Sequence, residues 1–136
     1  MTKEKIVITS GKRKTSIARA IVRKGKGRIR INSVLLESVE PKLARLKIKE
    51  PLTIAGDDVV KTIDVQVDVK GGGWMSQAEA ARNAIAKGLV EHTKSKDLKK
   101  KFLDYDRHLL VADVRRTEPQ KPYRSAARAG RQTSKR

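Results

Sequence analysis

The sequence predicts an α+β domain carrying an extended basic tail, and three stretches support that prediction. Thr62 to Val69 alternates strictly, with Ile63, Val65, Val67 and Val69 on one face and Asp64, Gln66 and Asp68 on the other. A period of two marks a strand buried on one side only. Gly71-Gly72-Gly73 ends this strand, and Ser76-Gln77-Ala78-Glu79 has the spacing of a capping box, so a helix is expected to open there. After Asp113 the apolar periodicity stops. Residues 114–136 contain two prolines and no Leu, Ile or Phe, too little apolar surface to offset the entropy of ordering a chain. Residues 1–113 are therefore expected to form one globular domain, and 114–136 a tail that stays extended until bound.

The other elements follow in order. Lys5 to Ser10 reads as a β-branched strand interrupted by Gly11-Lys12-Arg13-Lys14, and Thr15 to Arg23 as a second strand. Lys24-Gly25-Lys26-Gly27 is a turn and Arg28 to Asn32 a third strand, so these two strands are expected to form a hairpin with a basic turn. Glu40-Pro41 opens a helix whose stripe would be Leu43, Leu46 and Ile48, with Pro51 ending it and Gly56-Asp57-Asp58 as a loop. The helix behind the capping box lines up Ala78, Ala81, Ile85 and Leu89. Ala84 and Gly88 beside that stripe are small enough to let a sheet approach closely. A last helix, Asp97 to Tyr105, buries Leu98, Phe102 and Leu103, and Leu109-Leu110-Val111 is the final apolar segment. Strands, helix, strand, helix, helix and tail make an α+β order.

Charge narrows the function. Thirty-three Lys and Arg against fifteen acids give a net +18 and a pI of 10.6. Residues 1–30 carry +10 and residues 114–136 carry +7, while 31–113 carry only +1. A nearly neutral body with two cationic ends calls for a polyanion. There is no cysteine for a disulfide or a thiolate metal site. The first residues, Met1-Thr2-Lys3-Glu4-Lys5, are followed by only Ile6-Val7-Ile8, short of an export signal or a membrane span.

An enzyme has little to stand on. His92 and His108 lie sixteen residues apart with no acid spacing suited to a metal. Asp104, Asp106 and Asp113 are expected to pair with nearby Lys99, Lys100, Lys101 and Arg107. The triple glycine could be a strand-to-helix turn or a phosphate loop such as small-molecule kinases use. It fails the dinucleotide fingerprint, and Lys14-Thr15 fails the P-loop pattern. No metal or organic cofactor is expected. Among binders, a DNA reader would place Arg, Asn or Gln on a recognition helix, whereas here the cations gather in loops, strands and the tail. A chromatin-type DNA compactor shares the charge and the tail. Single-stranded RNA readers use aromatic platforms, and this chain has one Trp, one Phe and two Tyr. Recognition of structured RNA through its backbone fits best.

Four stretches bear a family likeness. They are Gly11-Lys12-Arg13-Lys14-Thr15-Ser16-Ile17-Ala18-Arg19-Ala20, Gly71-Gly72-Gly73-Trp74-Met75-Ser76-Gln77-Ala78-Glu79-Ala80, Tyr105 to Asp113, and the closing Ser134-Lys135-Arg136. On these the chain resembles the ninth protein of the ribosomal small subunit in its archaeal and eukaryotic form, over essentially its whole length. Val114 stands where archaeal members usually have Pro, and Lys135 is closer to the bacterial ending, so the source lineage stays open.

The resemblance implies a small two-layer sandwich of a mixed sheet with helices on one face and a left-handed β-α-β crossover, unlike the usual hand. It also implies a structural, non-catalytic place in the head of the small subunit of the cytoplasmic ribosome. The partners would be small-subunit ribosomal RNA, neighbouring head proteins and the peptidyl-site tRNA, with no membrane. Lys135 and Arg136 would face the tRNA. Ribosomal RNA would be met by Lys12, Arg13, Lys14, Arg19, Lys24, Lys26, Arg28, Gly71, Gly72 and Gly73, and by Arg115, Arg116, Arg124, Arg128 and Arg131 of the tail. The same fold occurs in a group of small-molecule kinases with a glycine-rich phosphate loop, which keeps a kinase as the alternative.

Overall fold

The computed structural model describes residues 3–131. Strands β1 (Val7–Arg13), β2 (Ser16–Lys24), β3 (Ile29–Ile31), β4 (Val34–Leu35) and β5 (Ile63–Lys70) form one mixed sheet in the order β1-β2-β5-β3-β4. Helices α1 (Lys42–Ala55), α2 (Asp57–Val60), α3 (Trp74–Thr93) and α4 (Lys96–Tyr105) complete the α+β architecture, with a 3-10 turn at Arg107–Leu109. Alternation decides which sheet face is covered. Val7 and Thr9 of β1, Ala18, Ala20 and Val22 of β2, and Ile63, Val65, Val67 and Val69 of β5 are buried, while the residues between them look outward. Helix α3 lies over β1, β2 and β5, with α1 beside it.

Small residues make that contact close. A methyl group on Gly88 would come within 2.6 Å of Val22 Cγ2, and one on Gly11 within 2.2 Å of the Ala80 carbonyl oxygen. Thr9 Oγ1 donates to the Ala84 carbonyl at 2.7 Å, which satisfies a hydroxyl that would otherwise be costly to bury.

Several sequence expectations are corrected. Gly11 to Arg13 continue β1, and the chain turns at Lys14-Thr15, so β1 and β2 form the hairpin. β2 and β3 do not pair, because β5 lies between them, antiparallel to β2 and parallel to β3. Length explains the choice: three-residue β3 cannot satisfy the backbone of nine-residue β2, whereas β5 pairs with it from Ile17 to Lys24. The parallel β3–β5 pair is joined through α1 and α2.

Helix α1 runs through Pro51, whose buried ring helps fill the core; its buried residues are Ala44, Ile48, Pro51 and Leu52. Of the expected stripe only Ile48 is inside, and Leu43 and Leu46 are exposed. The loop expected at 56–58 instead winds into α2 after Gly56. Helix α3 starts two residues before Ser76, with Gly73 as its cap and no side-chain capping bond. The capping box does not form because Ser76 lies inside the first turn rather than at the cap, and Glu79 pairs with Arg13 instead. Helix α4 is as expected, capped by Ser95 Oγ accepting from Leu98 N at 3.2 Å, although Leu103 is exposed. Of the final apolar segment only Leu109 is fully buried, and Val111 is exposed. Beyond the bridge between Arg13 and Asp113, residues 114–131 contain no helix or strand.

Candidate nucleic-acid interface

The uncovered sheet face carries Ile8, Ser10 and Lys12 from β1, Ile17, Arg19, Ile21 and Arg23 from β2, Arg30 from β3, and Asp64, Gln66, Asp68 and Lys70 from β5. Cross-strand register sets Arg19 opposite Asp68 and Arg23 opposite Asp64. Yet among the described residues Lys12, Arg19, Arg23, Arg30 and Lys70 make no ion pair.

Arg19, Arg23, Arg30 and Lys70 border two hollows. The larger, of 610 Å³, has Ile17 in its wall with Arg19, Lys70 and Asp68 around it; the smaller, of 180 Å³, has Ile21 with Arg23, Arg28 and Arg30. Cations that converge in this way suit phosphate oxygens.

Asp64 also lines the smaller hollow, but its carboxylate is engaged by the basic turn. Its Oδ1 accepts from the backbone N–H of Lys26 at 2.9 Å and of Arg28 at 3.0 Å, while Gly25 N and Gly27 N donate to Thr62 O and Ile63 O. The basic turn is thereby pinned over the end of β5, presenting exposed Lys24, Lys26 and Arg28. The Arg28 N–H holds the Asp64 carboxyl below its ordinary pKa.

The triple glycine divides. A methyl on Gly71 would lie 2.6 Å from the Thr15 carbonyl oxygen and one on Gly72 2.2 Å from Ser16 Oγ, and both have positive φ. Ser16 Oγ donates to the Gly71 carbonyl at 2.7 Å. The first two glycines thus let this loop lie on the β1–β2 turn. Gly73 has open space about it and begins α3.

An internal ion network was not foreseen. Arg82, nearly buried, reaches Glu50 Oε2 with Nε and Asp106 Oδ2 with Nη2, both at 2.8 Å. Asn83 Nδ2 donates to the carbonyls of His108 at 3.0 Å and Leu109 at 3.2 Å. Arg13 pairs with Glu79 at 2.6 Å and Asp113 at 3.2 Å, and Arg115 with Asp113 at 2.7 Å. Asp106 and Asp113 therefore turn to arginines rather than to the neighbouring lysines and Arg107. The sequence signal was there: Arg82 and Asn83 interrupt a run of alanines on a helix buried nearly all round, and a charge in such a place needs a partner.

These pairings set an acid limit on stability. Burial is the largest influence on Asp106 and raises its pKa, but the Arg82 hydrogen bond, the His108 backbone N–H and the nearby positive charges together outweigh it and leave it lowered. The Arg115 side chain holds Asp113 well below the usual carboxylate range. Folded pKa values below the unfolded ones mean that this stabilisation is complete above about pH 4 and is lost as pH falls further. Chemical denaturation should give a small loss between about pH 7 and 5, because burial lowers the His92 pKa and its protonation favours the unfolded chain, and a further decline below about pH 4 from the carboxylates. Asp106→Asn with Asp113→Asn should flatten that decline; an equally steep one would exclude these carboxylates as its cause.

The sequence-predicted cations stand as follows. Lys12, Lys14, Arg19, Lys24, Lys26, Arg28, Arg116 and Arg131 are exposed, Arg124 is half-buried, and Arg13 is turned inward. Arg128 pairs with Glu118 at 2.7 Å. Lys135 and Arg136 lie outside the described residues. Among the described residues no three His, Asp or Glu side chains gather to hold a metal, and no helix is long and apolar enough to cross a membrane.

An α+β sandwich with one helix-covered face and one cationic open face is the form of a polyanion-binding structural protein. Residues 11–136 match the model of the ribosomal protein S9/S16 family, and the chain belongs to that family. The small ribosomal subunit protein uS9 of Desulfurococcus amylolyticus is 56% identical over 126 residues, covering 93% of this chain and 89% of that one. The protein of the same name from Methanococcus maripaludis is 54% identical over 132 residues, covering 96% of this chain and 98% of that one. Membership makes the chain a structural constituent of the small ribosomal subunit, not an enzyme.

Proposed function

We propose that ribosomal RNA in the head of the small subunit lies across the open sheet face, and that the basic tail runs on to the peptidyl-site tRNA. The observation that supports the RNA reading is the pair of hollows, each with an isoleucine wall, where Arg19, Arg23, Arg28, Arg30 and Lys70 outnumber Asp64 and Asp68 and form no direct ion pair among the described residues. Lys12, Lys14, Arg19, Lys24, Lys26 and Arg28 supply phosphate contacts along this face and its edges, and the amides at Gly73 add donors at the start of a 20-residue helix. Arg116, Arg124, Arg128 and Arg131 continue the contact along the tail, and neighbouring head proteins complete the surroundings in the cytoplasmic ribosome. Lys135 and Arg136 steady the tRNA.

The tail reading is tested by deleting 134–136 in reconstituted small subunits. Incorporation should be unchanged. Peptidyl-site tRNA should bind about tenfold more weakly, the equivalent of one charge-assisted hydrogen bond. Unchanged tRNA affinity with defective incorporation would give these residues an assembly role instead.

A further inference from the structure

The cationic tail does not leave the domain at an arbitrary point. Its root is tied to the last residue of β1, where Asp113 makes a parallel bridge with Arg13. Asp113 Oδ2 lies 3.2 Å from Arg13 Nη1 and accepts from Arg115 Nη2 at 2.7 Å. Arg115 Nε spans both carboxylate oxygens at 3.1 and 3.0 Å, and the Arg115 backbone N–H donates to Oδ1 at 3.0 Å. Arg116 Nη1 adds a bond to the Asp113 carbonyl at 3.2 Å.

Behind Asp113, Arg13 is held by Glu79 of α3 at 2.6 Å. Side-chain exposure is 14% for Arg13 and 9% for Asp113, against 76% for Arg115. Arg13 Nη1 is buried with no hydrogen bond of its own, so the Asp113 charge is what compensates it. One carboxylate thus joins three parts of the chain: the end of β1, through Arg13 the first half of α3, and the first residues of the tail.

We propose that Asp113 is a positioning residue, a latch that fixes where and in which direction the tail leaves the domain, with Arg13 and Arg115 committed to the latch rather than to RNA. The argument is one of effective concentration. A flexible segment delivers its far end to a distant site most often when its origin is fixed, and a looser root spreads that end over a larger volume. The latch itself depends only on the contacts above. Its consequence for tRNA rests on the proposed function of the tail, and the two can fail separately.

The chain has no cysteine, so spin labels can be placed at will, one on Thr117 just past the latch and one on exposed Thr53 of α1. The protein should be measured at full length by pulsed electron resonance. In the parent the distance distribution should be narrow. Asp113→Asn, which keeps the shape and removes the charge, should broaden it at least twofold, and Asp113→Glu should narrow it again. Arg115→Gln leaves the buried Arg13–Asp113 pair intact and should broaden the distribution partially, which keeps the test usable if Asp113→Asn does not fold.

Parent-like widths in Asp113→Asn and Arg115→Gln, or in Arg115→Gln alone if Asp113→Asn does not fold, would overturn the latch. Reconstituted subunits give the second readout. If Asp113→Asn broadens the root and also weakens peptidyl-site tRNA binding, both readings hold. If the root broadens while tRNA binding stays at the parent level, the latch stands and the tRNA role of the tail fails.

Discussion

Replacing Gly11 with alanine is expected to destabilise the domain by about 3 kcal/mol, at the upper end of what overpacking usually costs. The new methyl would sit 2.2 Å from the Ala80 carbonyl oxygen and 2.6 Å from the Ala84 amide nitrogen, both backbone atoms of α3. A flexible side chain could swing aside, but a helix buried against three strands cannot. The helix would have to lift from β1, stretching the Thr9-to-Ala84 hydrogen bond and opening voids around Ala80 and Ala84, which are fully buried. For a domain of this size the thermal midpoint should fall by roughly 15 °C. Gly73→Ala is the control: the space around Gly73 is empty and its φ of −86° suits alanine, so its midpoint should move by no more than about 2 °C. Equal losses from both would mean that the α3–β1 contact does not set the effect, since alanine for glycine in open space is by itself neutral to stabilising.

Neutralising the open face should have the largest effect on binding. Arg19→Gln, Arg23→Gln, Arg30→Gln and Lys70→Gln together remove four cations from the rims of the two hollows, none of them ion-paired within the described chain. If each meets one phosphate, the slope of log affinity against log salt should flatten by about 3. Carried from 1 M salt to 0.1 M, that slope amounts to about a thousandfold in affinity. The comparison is a quartet on α4, with Lys96, Lys99, Lys100 and Lys101 changed to Gln. It removes the same charge from exposed positions beyond the helix layer, and the slope should change by less than about 1. Similar losses from both quartets would reduce the interface to general charge attraction.

Much of this was legible in the residues. The alternation of β5 states which face is buried, because a strand has only two faces and water sorts them; β2 does not, since Ile17 and Ile21 lie on its open face and Ala18 and Ala20 on its buried one. The stripe through Ala78, Ala81, Ile85 and Leu89 states which side of α3 meets the sheet, and Gly88 states how closely. Pairing was less legible. A four-residue basic turn between two strands reads as a hairpin, but pairing is decided by total backbone satisfaction, and β5 offers β2 eight partners where β3 could offer three. Pro51 reads as a stop because a proline restricts the residue before it, here Glu50, whereas tertiary packing keeps α1 going through it.

The cation surface follows the same division. Composition places charge at the two ends of the chain, yet it cannot tell that Arg13 points inward to Glu79 and Asp113 while Arg19, six residues on, points outward. The difference is the local alternation of the hairpin together with an acid waiting on α3. In the same way Ser76 and Glu79 have capping-box spacing, but the helix begins two residues earlier at Trp74, and Glu79 is left to pair with Arg13.

Directed cleavage bears most directly on the claim that the open sheet face meets ribosomal RNA. With no native cysteine, a hydroxyl-radical source can be tethered at Ser10→Cys on the margin of the open face, or at Lys100→Cys on α4, and each protein assembled into small subunits. Strong, discrete cuts in the ribosomal RNA of the subunit head are expected from position 10, with weak or no cuts from position 100. Strong cleavage from position 100 and none from position 10 would contradict the account, and would place the RNA against the helices instead.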